Sequence, residues 1–538
     1  MSLAAEEALV VERWKCRWQI WPFRMILEEI LADIGDAGPF QFMFTAVILF
    51  MEVVISWSLL QTAIIAATPD WWCVDPSTYG TDNMTLDNTT FQKCSLGLQD
   101  LDTSSNYTGD ASTTTCVRYY DPSFVTIVSE WDLVCERKYI KAAINSIQMA
   151  GILVGALLSG QCSDTFGRRI ICYVTMVLHA IFSLSAGFST SWELYAVLRL
   201  FVGASIGSYL VLHYVYVIEF VRHTWRPYLA SIPTWGLGAG LMCLTAWRVP
   251  NWKYLHFINA GLSTPFVLGW FISPESLRWL AAKGRIEEAD NVVGRIAKIN
   301  KRVKSNSVPE QLALLAEDEK SRQGEITHNY SYHLLCSDRR MALQTTILSF
   351  CWMSLSMSFY GIIFGVSALS GNVFLNMFLL SVLESPVTLF TSVLINLFGR
   401  RKTGCSFFLL ASVMGFAILI VDRVASEGSK GTVVNIVATC SKLFIAGAWT
   451  SMDTYSAELH PTIIRALGMG AVNVAARIGG MLAPFILEMD SPEDMVRCYV
   501  IVGSIMAISG LSVLLLRETK GRALADTLHQ EQKELGAL

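Results

Sequence analysis

The stretch GQCSDTFGRR, residues 160 to 169, joins two apolar runs, and INLFGRRK, residues 395 to 402, joins two further runs later in the chain. In both, glycine lets two helix ends approach closely, and the arginines that follow can tie neighbouring helix ends together. Asn396 stands where the first copy has Asp164, so we expect the second junction to be the weaker one. The repeat predicts two related halves.

Working outward from these junctions, apolar runs long enough to cross a ~30 Å hydrocarbon core appear twelve times. The predicted spans are 39–66, 139–160, 169–188, 192–219, 227–247 and 252–272, then 342–364, 371–397, 403–421, 432–456, 463–488 and 494–516. With 538 residues, 53% of them hydrophobic and 16% charged, the chain is too apolar for a soluble domain. The pattern predicts an all-α membrane protein with twelve transmembrane helices, six on each side of a polar insert.

The domain boundaries follow from this layout. We expect a cytoplasmic N-terminal segment, an N-terminal bundle that includes an outer loop, a cytoplasmic insert of short amphipathic helices, a C-terminal bundle and a cytoplasmic tail. These parts are residues 1–38, 39–272 with the loop at 69–138, 273–341, 342–516 and 517–538. The first residues have no apolar core behind a basic start, so they do not predict a cleavable signal peptide.

The loop at 69–138 is polar and has the marks of an extracytoplasmic segment. It contains three sequons, at Asn83, Asn88 and Asn106, and four cysteines that permit three pairings, Cys73, Cys94, Cys116 and Cys135. With the loop outside, alternation places the basic pairs at 168–169 and 400–401 inside. The net charge of −4 and the lack of a basic block argue against nucleic acid. The sequence has no metal-ligand spacing, phosphate loop or nucleophile motif, so it predicts a protein that is not an enzyme and binds no cofactor or metal.

Several segments together resemble the organic cation, anion and carnitine transporter family of the major facilitator superfamily, over nearly the whole chain. They are DIGDAGPFQ at 33–41, ATPDWWC at 67–73, SEWDLVC at 129–135, the junction at 160–169, PESLRWL at 274–280 and AELHPTIIRALGMG at 457–470. The resemblance implies two pseudo-symmetric six-helix bundles, a central substrate site near the midplane and alternating access by rocking of one bundle against the other. It also implies a multi-pass plasma-membrane protein that acts as a monomer on a small organic ion, with Na⁺ or H⁺ coupling left open.

Three charged residues inside the predicted spans are candidates for substrate contact, because an ionisable group in a membrane needs a partner or a wet cavity. The resemblance places arginine at Arg477 in anion and carnitine carriers, where cation carriers have an acid. Arg477 could hold a carboxylate, while Asp453 and Glu52 could balance an ammonium group, which favours carnitine-type zwitterions. Alternatively, Asp453 and Arg477 neutralise each other, and Glu52 pairs with a neighbouring helix. The lysine of span eight in anion carriers is Thr388 here, so no second cationic anchor is expected.

Aromatic side chains on four spans are the other candidates, although aromatic stripes can equally be packing. By position in the family, Trp352, Phe359, Trp235 and Tyr214 line the cavity, and stacked aromatic faces could hold alkylammonium groups by cation–π attraction. The set is Trp352, Phe359, Tyr360, Trp235, Tyr214 and Trp449. Glu384 has either a cavity or a structural role. His213 and His460 could titrate near neutral pH but are expected to be satisfied locally.

A separate group is predicted to act in gating or structure at the ends of the spans. Its members are Asp164, Arg168, Arg169, Glu219, Arg400, Arg401, Glu458 and Arg465. The sequence therefore predicts a polyspecific transporter of small organic cations and zwitterions. An organic anion exchanger is the first alternative, and a receptor-like protein that moves no solute is the second.

Overall fold

Long helices separated by short turns account for most of the chain in the computed structural model. The structure describes residues 27–35, 38–74, 89–91, 117–222, 225, 232, 234–326, 335, 339–460, 465–486 and 492–520. In the first half the helices are α1 (Pro39–Ile65), α2 (Ile127–Trp131), α3 (Lys138–Phe166), α4 (Arg168–Gly187), α5 (Trp192–Ile218), α6 (Thr234–Arg248) and α7 (Trp252–Val267).

Three helices, α8 (Leu277–Ala282), α9 (Ile286–Ile299) and α10 (Val308–Ile326), form the insert between the halves. The second half contains α11 (Arg339–Phe364), α12 (Val373–Val382), α13 (Glu384–Phe398), α14 (Arg400–Val424), α15 (Glu427–Leu459), α16 (Arg465–Ile486) and α17 (Pro492–Val513). Helices α12 and α13 together make the predicted eighth span. It is broken at Leu383 because Pro386, in the first turn of α13, has no N–H to give to Val382.

Ten helices of the described residues are long and apolar enough to cross a membrane. The predicted fifth and sixth spans are the two that fall short. Helix α6 has 15 residues from Thr234, and 226–231 before it lie outside the described residues. Helix α7 has 16 residues, contains Pro265 near its end, and continues as a short 3-10 helix, Leu268–Phe271. Together with these two, the ten helices match the expected twelve.

Glycines set the tightest packing in the N-terminal half, where α3 lies against α5. Gly151 and Gly155 on α3 face carbonyl groups of α5, and Gly203 and Gly207 on α5 face carbonyl groups of α3. A Cβ at any of the four positions would overlap backbone atoms of the other helix. Small residues four apart on both helices thus allow direct backbone contact, as is common between membrane helices.

The two repeated junctions have the same backbone. Gly167 has φ 105° and ψ 153°, and Gly399 has φ 95° and ψ 164°, a region that is essentially restricted to glycine. Each glycine caps one helix and starts the next, so the chain reverses with no intervening loop residue. The two copies of the predicted internal repeat therefore also share one backbone conformation at their glycines.

In the outer loop, three short strands form an antiparallel sheet of order β2-β1-β3, with β1 at Trp71–Val74, β2 at Thr89–Phe91 and β3 at Val117–Tyr120. Trp131 packs on Tyr195 and Trp252, at 5.4 and 5.2 Å between ring centroids, which docks the loop on α5 and α7. Burial and the neighbouring Asp132 raise the pKa of Tyr120.

The loop's predicted modifications are only partly within the described residues. Cys135 is disulfide-bonded. The side chain of Cys73 is not described, and Cys94, Cys116, Asn83, Asn88 and Asn106 lie outside the described residues. The cysteine pairing and the glycosylation stay predictions.

Candidate functional site

An aromatic cluster lies between α11 and α15, where the sequence placed four of its candidates. Trp352 and Phe359 are buried on one face of α11, and both contact Trp449 of α15, with ring centroids 5.2 and 5.5 Å apart. Tyr360 lies edge-on to Phe359 at 5.4 Å. The Trp352 indole N–H donates to the hydroxyl of Ser456 at 2.8 Å. These rings form an apolar wall, and the buried indole N–H of Trp352 already has a hydrogen-bond partner.

Two of the predicted charges adjoin this wall and do not pair with each other. The Arg477 side chain lies close to the Tyr360 hydroxyl. Asp453, on α15, is exposed to solvent-accessible space although protein atoms surround it. Within the described residues, no ion pair joins Asp453 to Arg477. Mutual neutralisation is therefore not the arrangement in this structure.

A lysine that the sequence analysis did not select completes the charges of the site. Lys442 of α15 is 1% exposed, donates to Glu384 at 2.7 Å, and lies 4.7 Å from the centre of the Phe359 ring. It is seven residues before Trp449 and eleven before Asp453, which places all three on one face of α15. The sequence analysis expected no second cationic anchor because span eight has Thr388, and it did not consider Lys442 of span ten, whose charge is paired with Glu384. A lysine inside the apolar run of 432–456 was the signal that could have found it.

Glu384 and Lys442 satisfy each other, since Lys442 also donates to the carbonyl of Leu380 at 2.6 Å. Thr388, one turn after Glu384, donates to the carbonyl of Ser385 at 2.8 Å. The site has two cations, Lys442 and Arg477, and two carboxylates, Glu384 and Asp453. Among the described residues, only Lys442 and Glu384 form an ion pair. We name Trp352, Phe359, Tyr360, Glu384, Lys442, Trp449, Asp453 and Arg477 the C-bundle cluster.

The predicted residues of the N-terminal half lie apart from this cluster. Glu52 of α1 accepts a hydrogen bond from Thr234 of α6 at 2.7 Å and lies 3.9 Å from Nε2 of His213. Trp235 follows Thr234 and is half-buried, whereas Tyr214 is 45% exposed. No described contact brings Glu52 or Tyr214 to the aromatic wall.

Helix α6 links the two groups across the junction of the bundles. A Cβ on Gly236 would overlap the hydroxyl of Ser385, and one on Gly238 would overlap Val53 and Ser56 of α1. Helix α6 thus packs between α1 and the α12–α13 span. Gly236 follows Thr234 by two residues, and the Ser385 that it contacts is next to Glu384 in the chain. Helix α6 therefore lies between the polar residues Glu52, His213 and Thr234 of the N-terminal half and the C-bundle cluster.

The predicted gating residues form two matching clasps at the junctions. In the first, Arg168 contacts Asp164 at 2.8 Å and Glu219 at 3.6 Å. The Glu275 carboxylate accepts from the backbone N–H groups of Arg168 and Arg169 at 2.9 and 3.1 Å. The segment that follows the sixth span is thereby tied to the junction between the second and third spans.

In the second clasp, Glu518 accepts from the backbone N–H groups of Arg400 and Arg401 at 2.9 and 3.2 Å. Arg400 donates through two nitrogens to Glu458, at 2.8 and 3.2 Å. Asn396 replaces the acid of the first clasp, but Arg400 keeps a carboxylate partner from α15. Arg465, the remaining member of the predicted gating group, is the first residue of α16. His460 donates from Nδ1 to the carbonyl of Ser456 at 2.9 Å, a local bond within α15.

Residues 99–528 match the family model described as "Sugar (and other) transporter". The chain is 28% identical to the "Organic cation transporter-like protein" of Drosophila melanogaster, covering 93% of this chain and 91% of that protein. It is 27% identical to "Organic cation/carnitine transporter 2" of Mus musculus (94% and 93% covered) and 28% identical to "Organic anion transporter 3" of Mus musculus (94% and 95% covered).

The fold has solved counterparts. The inward-open conformation of the xylose transporter XylE from E. coli matches with a TM-score of 0.62 and 16% identity, over 92% of this chain and 99% of that one. The expected twelve-helix architecture is confirmed, and so is the resemblance to the organic cation, anion and carnitine transporters. The chain belongs to the sugar (and other) transporter family of the major facilitator superfamily, and over most of its length it is similar to organic cation, carnitine and anion transporters.

Proposed function

We propose that the protein carries small zwitterions and organic cations of carnitine or betaine type across the plasma membrane by alternating access. The observation that supports this most is the charge arrangement of the C-bundle cluster. Lys442 and Glu384 are bound to each other, whereas Arg477 and Asp453 are both free of an ion-pair partner among the described residues. A site with one open cation and one open anion complements a substrate that has both charges.

Each group has a role in this proposal. Arg477 binds the substrate carboxylate by parallel hydrogen bonds, a geometry that guanidinium supports well. Asp453 balances the ammonium or quaternary nitrogen, and the faces of Trp449 and Phe359 attract its alkyl groups by cation–π interaction. Because such faces do not demand one substrate shape, the proposal includes a broad substrate range.

Alternating access needs contacts between the bundles that can open. Ser146 of α3 donates to the carbonyl of Met481 on α16 at 2.6 Å, on the predicted outer side. Met149, one turn further along α3, lies against Gly480. These contacts are consistent with an outer face that is closed, so that the C-bundle cluster would open to the inside.

The proposal predicts that Arg477→Ala lowers uptake of carnitine by at least about ten-fold, because a lost charged hydrogen bond in a desolvated site costs about 1.5–3 kcal/mol. Uptake of a plain organic cation such as tetraethylammonium should change much less. Radiolabelled uptake into cells expressing equal amounts of each variant measures both. Arg423→Ala, at the exposed end of α14, is the matched loss of charge and should leave both substrates unaffected. Equal losses for carnitine and the cation in Arg477→Ala would contradict the role of Arg477.

The buried Lys442 favours one alternative, an organic anion exchanger in which Lys442 and Arg477 together hold a dicarboxylate. That function predicts faster uptake when a dicarboxylate is present on the opposite side, and it predicts that Asp453→Asn is tolerated. In the zwitterion transporter, Asp453→Asn lowers carnitine uptake and no dicarboxylate stimulates it. Measuring both in the same cells separates the two functions.

A further inference from the structure

Helix α9 of the insert ends in a turn that lies at the predicted inner end of the first span. Asn300 follows α9, and its Oδ1 accepts from the backbone N–H of Phe40 at 2.9 Å. Its Nδ2 donates to the carbonyl of Ile34 at 2.8 Å and to Oε1 of Gln41 at 2.9 Å. Because α1 begins at Pro39, this one side chain fixes the turn beside the residues that enter the membrane.

A second contact fixes the same helix under the sixth span. Arg295 of α9 donates to the carbonyl of Phe271, the last residue of the 3-10 helix that ends this span. Phe271 and Leu268 are 71% and 66% exposed, and apolar side chains exposed at the end of a span are more stable in lipid than in water. Helix α9 is thus held against the inner ends of two spans, at the level where lipid headgroups lie.

The turn after α9 has a defined backbone. Lys301 has φ 55°, the left-handed conformation in which many helices end. The backbone N–H of Arg302 donates to the carbonyl of Ala297 at 2.9 Å, and that of Lys301 donates to the carbonyl of Lys298 at 3.2 Å. These two bonds close the turn, so its side chains project from a fixed position.

The surface of this turn combines positive charge with an exposed apolar side chain. Three of its basic residues are exposed, and none of them has an ion-pair partner within the part of the chain that the structure describes. A fourth, Lys304, is paired with Asp290. Val303 is 92% exposed, so the protein itself buries almost none of this side chain. We name Lys298, Lys301, Arg302 and Val303 the basic turn.

We propose that the basic turn binds the anionic phospholipid headgroups of the inner leaflet. Its three cations complement the negative charge of the headgroups, and Val303 inserts among the acyl chains, where it leaves water. The exposed Asp33, next to the Ile34 that Asn300 contacts, offsets only one of these charges. Because α9 is anchored to two spans, headgroups bound here hold the insert to the N-terminal bundle. The basic turn is separate from the C-bundle cluster, so this inference does not depend on which solute is carried.

Photocross-linking tests this contact directly. The full chain with Val303→p-benzoylphenylalanine is reconstituted in bilayers of equimolar phosphatidylcholine and phosphatidylserine and irradiated, and its lipid adducts are measured by mass spectrometry. Adducts with phosphatidylserine should exceed those with phosphatidylcholine at least about threefold, and adding Lys301→Gln and Arg302→Gln should make the two about equal. The absence of any lipid adduct at this position would overturn the proposal. So would equal adducts in the chain that keeps both charges, or a preference for phosphatidylserine that survives their loss.

The second test compares stability in two bilayers. Lipid that binds only the folded insert stabilises it, so the Tm of the native protein should be higher with phosphatidylserine present than in phosphatidylcholine alone. Lys301→Gln combined with Arg302→Gln should lose at least about half of this increase. Arg248→Gln combined with Arg423→Gln removes two exposed charges at the predicted outer ends of α6 and α14 and should keep it. An equal loss in the two double variants would reduce the effect to general charge attraction and refute the basic turn as a binding surface, as would a native Tm that ignores phosphatidylserine.

Discussion

At the scale of single residues, the buried Lys442 decides how the charges of the site are shared. An unpaired ammonium at 1% exposure would be strongly unfavourable, and Glu384 compensates it at 2.7 Å. Because this pair uses both of its charges, Arg477 and Asp453 are the charged groups of the cluster that the proposed function assigns to substrate. By pairing with Glu384, Lys442 leaves Asp453 and Arg477 as the two charged groups without an ion-pair partner among the described residues. Lys442 itself need not contact the substrate.

Removing one partner of this pair should cost more than removing both. Glu384→Gln leaves Lys442 buried without a carboxylate, and breaking buried pairs in this way costs about 3–5 kcal/mol, with less expected here because Glu384 is 16% exposed. The double variant Glu384→Gln, Lys442→Met should recover part of that loss. Tm values of the purified variants measure it. A double variant less stable than Glu384→Gln would show that the pair is not the cause.

At the scale of elements, the helix junctions determine how the bundles are held together. Gly167 and Gly399 let the backbone reverse within one residue, and the carboxylates of Glu275 and Glu518 then reach the first N–H groups of the following helix. Negative charge at a helix N-terminus is favourable, and here it also links distant segments. The sequence predicted the weaker clasp from Asn396, whereas the structure gives Arg400 an acidic partner on α15.

Gly167→Ala should therefore destabilise the first junction. Its φ of 105° is unfavourable for alanine, and the added Cβ would overlap the Glu275 carboxylate, so we expect a loss of about 1–3 kcal/mol and slower transport. Gly160→Ala in the same helix is the matched control, because nothing lies within 4 Å of its Cβ position. Thermal unfolding and uptake of both variants check this. Equal effects at the two glycines would contradict a special role for the junction.

At the scale of the whole molecule, the proposed alternating access requires contacts between the bundles that form and break. The Ser146–Met481 contact closes α3 against α16 on the predicted outer side. The interface here includes glycine, serine and methionine and no ion pair among the described residues, so it can separate at low cost. The clasps, in contrast, lie within each bundle and move with it.

Locking this contact should stop the transport cycle. With cysteines at both positions (Ser146→Cys and Met481→Cys), oxidation should lower uptake by most of its initial value, and a reductant should restore it. Each single variant and the native chain, whose free thiols include Cys162 and Cys440, should be unaffected by the same treatment. A cross-linked protein that still transports at the native rate would show that this contact need not open.

The sequence by itself determined the helices, because a lipid environment requires long apolar segments, and these are visible as apolar runs in the sequence. The repeated junction motifs indicated the two related halves, and the quoted segments indicated the family. The sequence also selected Arg477, Asp453 and the aromatic residues near them. Only the tertiary structure decided which charges are paired. Lys442 and Glu384 lie 58 residues apart in the chain, and Glu52 and His213 are farther apart still, so no local pattern records either pair. Ion pairing is set by distances between helices, and those distances come from packing that one-dimensional periodicity does not specify.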